Sequence, residues 1–335
     1  MNVSTPLAAL RTRAGVEVNV AVGCPAVLGE GAWAFGDAIL AAQKSDVTLL
    51  FLGGSAKGGF DHTVHYDTTE KESLDRREIG LPGLQLDLLK ALLKKTTTPI
   101  VLVMMQGGPI DIALADASPQ VGSILQVGYP GQAGGDAVAD LLLGVVSPAG
   151  RMPVTTYFSN YTAQSDMRSM DMRAFPGRTH RFLQVPVLYE FGFGLSYAKF
   201  EYRALSLTPR AAAASASRTV TLDVVNVGDV ASDESVLVYA ASRSGDPRHV
   251  RDLIWFKRLH DVQPGMSVRV RFTLSASELQ VAAGGDAPGD AVRWHVPAGE
   301  WVLTTSACDS AAAARDTAAL VGGNHPCALK FSVTA

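Results

Sequence analysis

Apolar and polar positions follow two different rhythms along this chain of 335 residues. Up to about residue 157, short unbroken apolar runs alternate with stretches of helical period. VEVNVAV (16–22) reads as a strand, WAFGDAILAAQKS (33–45) as a helix and VTLLFLGG (47–54) as a buried strand. Leu84, Leu88, Ala91 and Leu92 recur at i, i+4, i+7 and i+8, which predicts a helix over about 83–95 with Lys94 and Lys95 in its last turn. Beyond Pro99, IVLVMM is another continuous apolar strand and SILQV (123–127) a third. The spacing then predicts a turn at Tyr129-Pro130-Gly131 and a helix through DAVADLLLG (136–144), stopped by Pro148. Apolar strands alternating with helices imply an α/β sandwich: a mostly parallel sheet with helices on both faces.

From about residue 201 the period becomes two. Val220, Leu222 and Val224 alternate with polar neighbours, as do Val268, Val270, Phe272 and Leu274, and Leu329, Phe331 and Val333. Turn signals at Asn226-Val227-Gly228, Pro264-Gly265 and Pro297-Ala298-Gly299 separate these runs, the pattern of an all-β sandwich. The Ala-rich pieces at 211–217 and 310–319 read as a linker and a loop.

Composition narrows the function classes. Hydrophobic residues are 47% of the chain and charged residues 18%, which excludes a disordered chain. A net charge of −3 offers no basic surplus for nucleic acid. No apolar run approaches the ~20 residues of a membrane-spanning helix. The first residues, MNVSTPLAALRTRAGVEV, are interrupted by Arg11, Arg13 and Glu17, so no signal peptide is expected in this chain. Of the three cysteines, Cys308 and Cys327 share a loop-rich region and are candidates to pair, leaving Cys24 alone. Asn2 and Asn160 head glycosylation tripeptides.

Several stretches invite chemistry. Gly53-Gly54 and Gly58-Gly59 miss the spacing of both nucleotide-binding glycine motifs, and Ser55 is not in a nucleophile elbow. His62 and His65, near Asp61 and Asp67, fit no metal pattern, so neither metal nor cofactor is expected. The stretch 69–77 is richer: Glu70, Glu72 and Asp75 lie among Lys71, Arg76 and Arg77. It follows the strand at 47–52, and open α/β sheets bind ligands beyond the carboxyl ends of their strands. Taken on charge alone, it reads first as a solvated loop.

Six ordered stretches carry a resemblance: GLPGLQLDLLKAL (80–92), VLVMMQGGPIDIALA (101–115), GYPGQAGGDAVADLLLG (128–144), PAGRMPVTTY (148–157), FPGRTHRF (175–182) and LYEFGFGLSYAKFEY (188–202). Together they resemble the C-terminal part of glycoside hydrolase family 3, in its β-xylosidase-like branch. VVNVGDVASDESVLVYA and VPAGEWVLTTSA resemble that family's fibronectin type III-like domain. The resemblance implies an α/β-sandwich domain over 1–160, incomplete at its N-terminus, a connecting segment over 161–200 packing on it, and an immunoglobulin/fibronectin type III-like β-sandwich over 201–335.

It further implies a retaining exo-glycosidase acting on a β-linked oligosaccharide or aryl glycoside. Such an enzyme needs two carboxyls about 5–5.5 Å apart, a nucleophile and a proton shuttle. The family's nucleophile aspartate belongs to an N-terminal barrel, which is expected to be missing from this chain. The shuttle is expected in Glu70-Lys71-Glu72-Ser73-Leu74-Asp75-Arg76, with Glu70 the first choice and Glu72 the second. Asp75 and Arg76 are expected to pair, keeping Arg76 away from Glu70. FPGRTHRF reads either as a face for the barrel or as a domain-closing loop. Trp294 and Trp301 are expected to pack rather than to stack on sugar. The resemblance also implies an extracellular setting, in which a Cys308–Cys327 disulfide would contribute roughly 3 kcal/mol. A non-catalytic sugar-binding module is the competing reading.

Overall fold

The computed structural model describes residues 3–13, 15–25, 27, 34–55, 69–70, 76–245, 249–283, 291–306 and 327–334. They form two compact units, residues 1–145 with 156–163 and residues 146–155 with 164–335.

The first unit begins with α1 (Pro6–Arg11), started by Thr5, whose Oγ1 accepts the Ala8 N–H at 3.2 Å, with Pro6 in the first turn. There follow α2 (Phe35–Gln43), β1 (Thr48–Gly53), α3 (Gln85–Lys95), β2 (Ile100–Met105), α4 (Ala113–Asp116), β3 (Val121–Gln126) and α5 (Gly134–Leu142). The three strands form a parallel sheet in the order β1-β2-β3, with Thr48 opposite Ile100 and Ile100 opposite Val121. Central β2 buries Ile100, Leu102, Val103 and Met104, which is why its sequence is apolar throughout. Edge strand β3 exposes Gly122 and Ser123, so it is only half the apolar run expected. Helix α3 buries Leu88 and Leu92 of the anticipated stripe, and Leu89 beside them.

One expected strand is absent. Residues 16–22 make no ladder, and Val20 and Val22 are half or more exposed. The alternation of valines buries a face only when a neighbouring strand supplies hydrogen bonds. Here residues 15–25 and β1 both line a cleft of about 1330 Å³, and β1 is an edge strand among the described residues.

The second unit holds α7 (Thr179–Phe182), while the short α6 (Tyr161–Gln164) spans the division. Its strands are β4 (Phe200–Thr208), β5 (Ala211–Ala213), β6 (Arg218–Asn226), β7 (Ser232–Ser242), β8 (Asp252–Val262), β9 (Ser267–Leu274), β10 (Val281–Ala283), β11 (Arg293–His295), β12 (Gly299–Thr305) and β13 (Ala328–Thr334). Sheet β5-β13-β12-β7-β8 and sheet β4-β6-β9 pack face to face, and β10 and β11 form a separate pair. The alternating residues fill the space between: Val220, Leu222 and Val224 with Val270, Phe272, Leu274, Leu329, Phe331 and Val333. Trp301 is buried there and donates its Nε1–H to the Pro297 carbonyl at 2.9 Å, whereas Trp294 on β11 is exposed.

The Ala-rich piece at 211–217 is not merely a linker. Ala211–Ala213 pair in parallel with β13, because the buried Arg218 guanidinium donates to the carbonyls of Ala212 and Ala216 at 2.8 and 3.1 Å and holds them against the sheet. The FPGRTHRF stretch joins the second unit: Arg181 pairs with Asp252 at 2.5 Å and His180 stacks on Phe191. Phe175 remains exposed. Residues 146–155 are bound to the sandwich by Arg151, which meets the buried Glu234 at 2.7 Å. Cys327 is buried and disulfide-bonded and Cys24 is free, while Cys308 lies outside the described residues.

Candidate active site

The carboxyl ends of β1, β2 and β3 continue into Gly53–Ser55, Gln106–Asp111 and Val127–Gly131. Gly53 has a φ of +148°, and a Cβ there would lie 1.9 Å from the Met105 carbonyl oxygen, so only glycine lets β1 and β2 end side by side. The buried Gln85 amide closes the same end, accepting the Gly53 N–H and donating to its carbonyl, both at 2.8 Å. Its position at the start of α3 ties that helix to the strand end.

Onto this edge the chain returns at Thr69 and Glu70. Both backbone N–H groups donate to the Ser55 carbonyl, at 2.9 and 3.1 Å, and the Ser55 N–H donates to Thr69 Oγ1 at 2.8 Å. The Glu70 side chain then reaches β2 and β3. Its Oε2 accepts the Gly107 N–H and the Tyr129 hydroxyl, each at 2.6 Å. Its Oε1 accepts the Gly108 N–H at 3.2 Å and faces Arg76 Nη1 at 3.4 Å. Arg76 Nη2 also donates to the Pro109 carbonyl at 2.8 Å. Past Arg76 the chain stays on the same loop: the Asp111 N–H donates to Ile79 at 2.6 Å and Gly80 bridges Asp111. The Asp111 carboxylate in turn accepts from Ala113 and from the N–H and hydroxyl of Ser159.

The cluster is nearly closed to solvent at the carboxylate, where the Glu70 side chain is 11% exposed, and open at Tyr129, which is 48% exposed. Burial of the phenol, then its bond to Glu70, pushes the Tyr129 hydroxyl well above its ordinary value near 10, so it keeps its proton and donates. Three glycines make room. An added Cβ would lie 2.8 Å from Glu70 Cδ at Gly54, 3.1 Å from Glu70 Oε2 at Gly107, and 2.7 Å from Arg76 Nη2 at Gly108.

Of the residues singled out from sequence, Glu70 and Arg76 meet here, whereas Glu72 and Asp75 lie outside the described residues. Arg76 was expected to stand away from Glu70. It does not, because the Pro109 carbonyl that anchors its guanidinium adjoins the two N–H groups that hold the carboxylate. Tyr129, Gly107, Gly108 and Thr69 were not anticipated as partners of Glu70; the Gly107-Gly108 pair closing an apolar strand was the available signal. His62 and His65 fall outside the described residues, among which no three His, Cys, Asp or Glu side chains group to hold a metal. No described helix is long and apolar enough to cross a membrane. Asn160 is exposed, just before α6.

A parallel α/β unit with a carboxylate cluster at its strand ends, followed by a β-sandwich, defines the class of protein. Residues 1–197 match the glycosyl hydrolase family 3 C-terminal domain and residues 234–307 the fibronectin type III-like domain. The chain belongs to glycosyl hydrolase family 3. It is 42% identical over 183 residues to β-D-xylosidase 1 of Arabidopsis thaliana, covering 54% of this chain and 22% of that protein. It is 34% identical over 297 residues to a probable exo-1,4-β-xylosidase of Aspergillus clavatus, covering 82% of this chain and 37% of that protein. The chain thus spans well under half the length of the curated relatives it matches. Among solved structures, a GH3 exo-β-xylosidase (XlnD) in complex with a xylobiose aziridine probe superposes with a TM-score of 0.79 at 25% identity, over 100% of this chain and 42% of that one. A β-glucosidase from Erythrobacter marinus follows at 0.73 and 25%, over 100% and 44%.

Proposed function

We propose that this chain is the C-terminal portion of a retaining exo-β-glycosidase of β-xylosidase or β-glucosidase type, acting on β-linked xylo- or gluco-oligosaccharides in xylan breakdown. Its α/β unit contributes the loop that carries the acid/base glutamate, Glu70 or Glu72, and an N-terminal barrel contributes the nucleophile. The observation that carries this reading is the pinning of both flanks of residues 71–75, at Thr69–Glu70 and at Arg76–Gly80, to the carboxyl ends of the parallel strands. Ligands of open α/β sheets bind at that edge. The xylosidases among the relatives favour xylose as the terminal sugar. A disulfide-bonded Cys327 fits a protein that works in an oxidising, extracellular setting.

The protein comprising the barrel and this chain is expected to release nitrophenol from p-nitrophenyl β-xyloside with retention at the anomeric carbon, and the 335-residue chain alone to release none. A longer protein without turnover, together with xylobiose binding by the isolated chain in calorimetry, would instead support a sugar-binding module.

A further inference from the structure

We infer that Glu70 is a positioning residue, a carboxylate latch that ties Thr69–Glu70 and Arg76 to the ends of β1, β2 and β3, and that the proton shuttled to the glycosidic oxygen comes from a different carboxyl. The inference rests on the glycosidase reading above and deepens it.

A carboxylate offers about four lone-pair directions. Around Glu70 four donors face them: the Gly107 and Gly108 N–H groups, the Tyr129 hydroxyl and the Arg76 guanidinium. A general acid must present an O–H to the leaving oxygen, and a general base a free lone pair to water. Either oxygen of Glu70, if it carried a proton, would set an O–H against a donor and lose a bond from Gly107, Gly108, Tyr129 or Arg76. The phenol could turn to accept a proton carried on Oε2, but that O–H would then be spent on Tyr129 and would not face a leaving oxygen. The surroundings are shaped for the arrangement as it stands: Gly54, Gly107 and Gly108 each lack a Cβ where one would strike Glu70 or its partner Arg76. The bonds join three strand ends. Thr69 and Glu70 hold the Ser55 carbonyl after β1, the carboxylate and Arg76 hold Gly107–Pro109 after β2, and Tyr129 comes from the turn after β3. Such a latch costs no reorganisation at the moment of reaction and holds Thr69–Glu70 and Arg76 at the strand ends.

The test compares Glu70→Gln, Tyr129→Phe and the double variant in the full-length protein, on dinitrophenyl and methyl β-xylosides. A glutamine cannot accept all four bonds, so Glu70→Gln is expected to lower kcat/KM by about 100-fold on both leaving groups alike, with no restoration by azide. Tyr129→Phe is expected to cost roughly tenfold, again independent of leaving group, and to add almost nothing to Glu70→Gln, because the phenol acts through that carboxylate. Loss confined to the poor leaving group, with azide restoring turnover, would overturn the latch and make Glu70 the proton donor; full activity in Tyr129→Phe would also overturn it. Should Glu70→Gln fail to fold, Tyr129→Phe decides alone. If the unmodified protein hydrolyses neither substrate, the glycosidase reading fails separately. The latch is then read from amide exchange in the 335-residue chain, where the Gly107 and Gly108 N–H groups are expected to be protected and to lose protection in Tyr129→Phe. Unprotected amides in the unmodified chain would refute it.

Discussion

Two glutamates in this molecule are held by the same kinds of side chain and stand in different surroundings. Glu234 on β7 meets Arg151 at 2.7 Å and accepts the Tyr202 hydroxyl at 2.7 Å; Glu70 faces Arg76 at 3.4 Å and accepts the Tyr129 hydroxyl at 2.6 Å. Around Glu234 the tyrosine is buried in the sandwich core and the glutamate side chain is 3% exposed. The pair there joins residues 146–155 to the sheet. Around Glu70 the remaining donors are backbone N–H groups of a glycine pair, the tyrosine is half exposed, and the whole cluster sits where parallel strands end. A clamped carboxylate is therefore not in itself a functional sign. Its position on the sheet, and whether its partners come from packed strands or from strand-end loops, separates the two settings.

Removing each carboxylate sharpens this contrast most. Glu234→Ala takes the carboxylate from the part-buried Arg151 and from the Tyr202 hydroxyl, and is expected to cost about 3–5 kcal/mol of sandwich stability. Glu70→Ala, whose partners are closer to water, is expected to cost about 1–2 kcal/mol. Urea unfolding followed by tryptophan fluorescence suits the first, since three of the four tryptophans, Trp255, Trp294 and Trp301, lie in the second unit, and far-ultraviolet circular dichroism suits the second. Equal losses would break the comparison.

Acid should also weaken the sandwich unit through one histidine. Burial first, and the neighbouring Arg251 next, push the His180 imidazole down from its ordinary 6.5 to about 4, against the opposing pull of Asp252. Between those values the unfolded chain binds a proton that the folded one does not, so stability falls as pH drops from about 6.5 toward about 4 and levels off below. Allowing for its partial exposure, the loss is about 2 kcal/mol. His180→Phe, which keeps a ring against Phe191, should remove that part of the pH dependence in melting experiments. A variant as acid-sensitive as the parent would exclude His180 as the cause.

The smallest contrast lies in the two phenols. Tyr202→Phe leaves a buried Glu234 oxygen short of a donor and is expected to cost about 1–2 kcal/mol, whereas Tyr129→Phe, at a half-exposed ring, should cost under about 1 kcal/mol. Melting temperatures of the two variants rank them directly. The reverse order would mean that the strand-end cluster is the more tightly built of the two.

Much of this architecture was legible in the chain. The apolar run 100–105 marks a central parallel strand because both its faces are covered, and the alternation at Val270, Phe272 and Leu274 marks a sheet with one buried face. The strand anticipated at 16–22 failed because alternation reports which side chains could be buried, not whether an edge stands close enough to pair. At the site, Glu70 and Arg76 were each recognisable as candidates, but Arg76 was expected to pair with Asp75 and not with Glu70, and Tyr129 read as a turn residue. Nothing in a turn sequence says that its hydroxyl meets a carboxylate 59 positions earlier.

By itself, then, the sequence determined the periodicities, the family and the loop that bears the carboxylates, since these are local patterns of polarity and ordered motifs. The tertiary structure alone decided which donors surround Glu70, because three strand ends far apart in the chain converge only once the parallel sheet has formed. The reach of a hydrogen bond, about 3 Å, carries no trace in sequence separation.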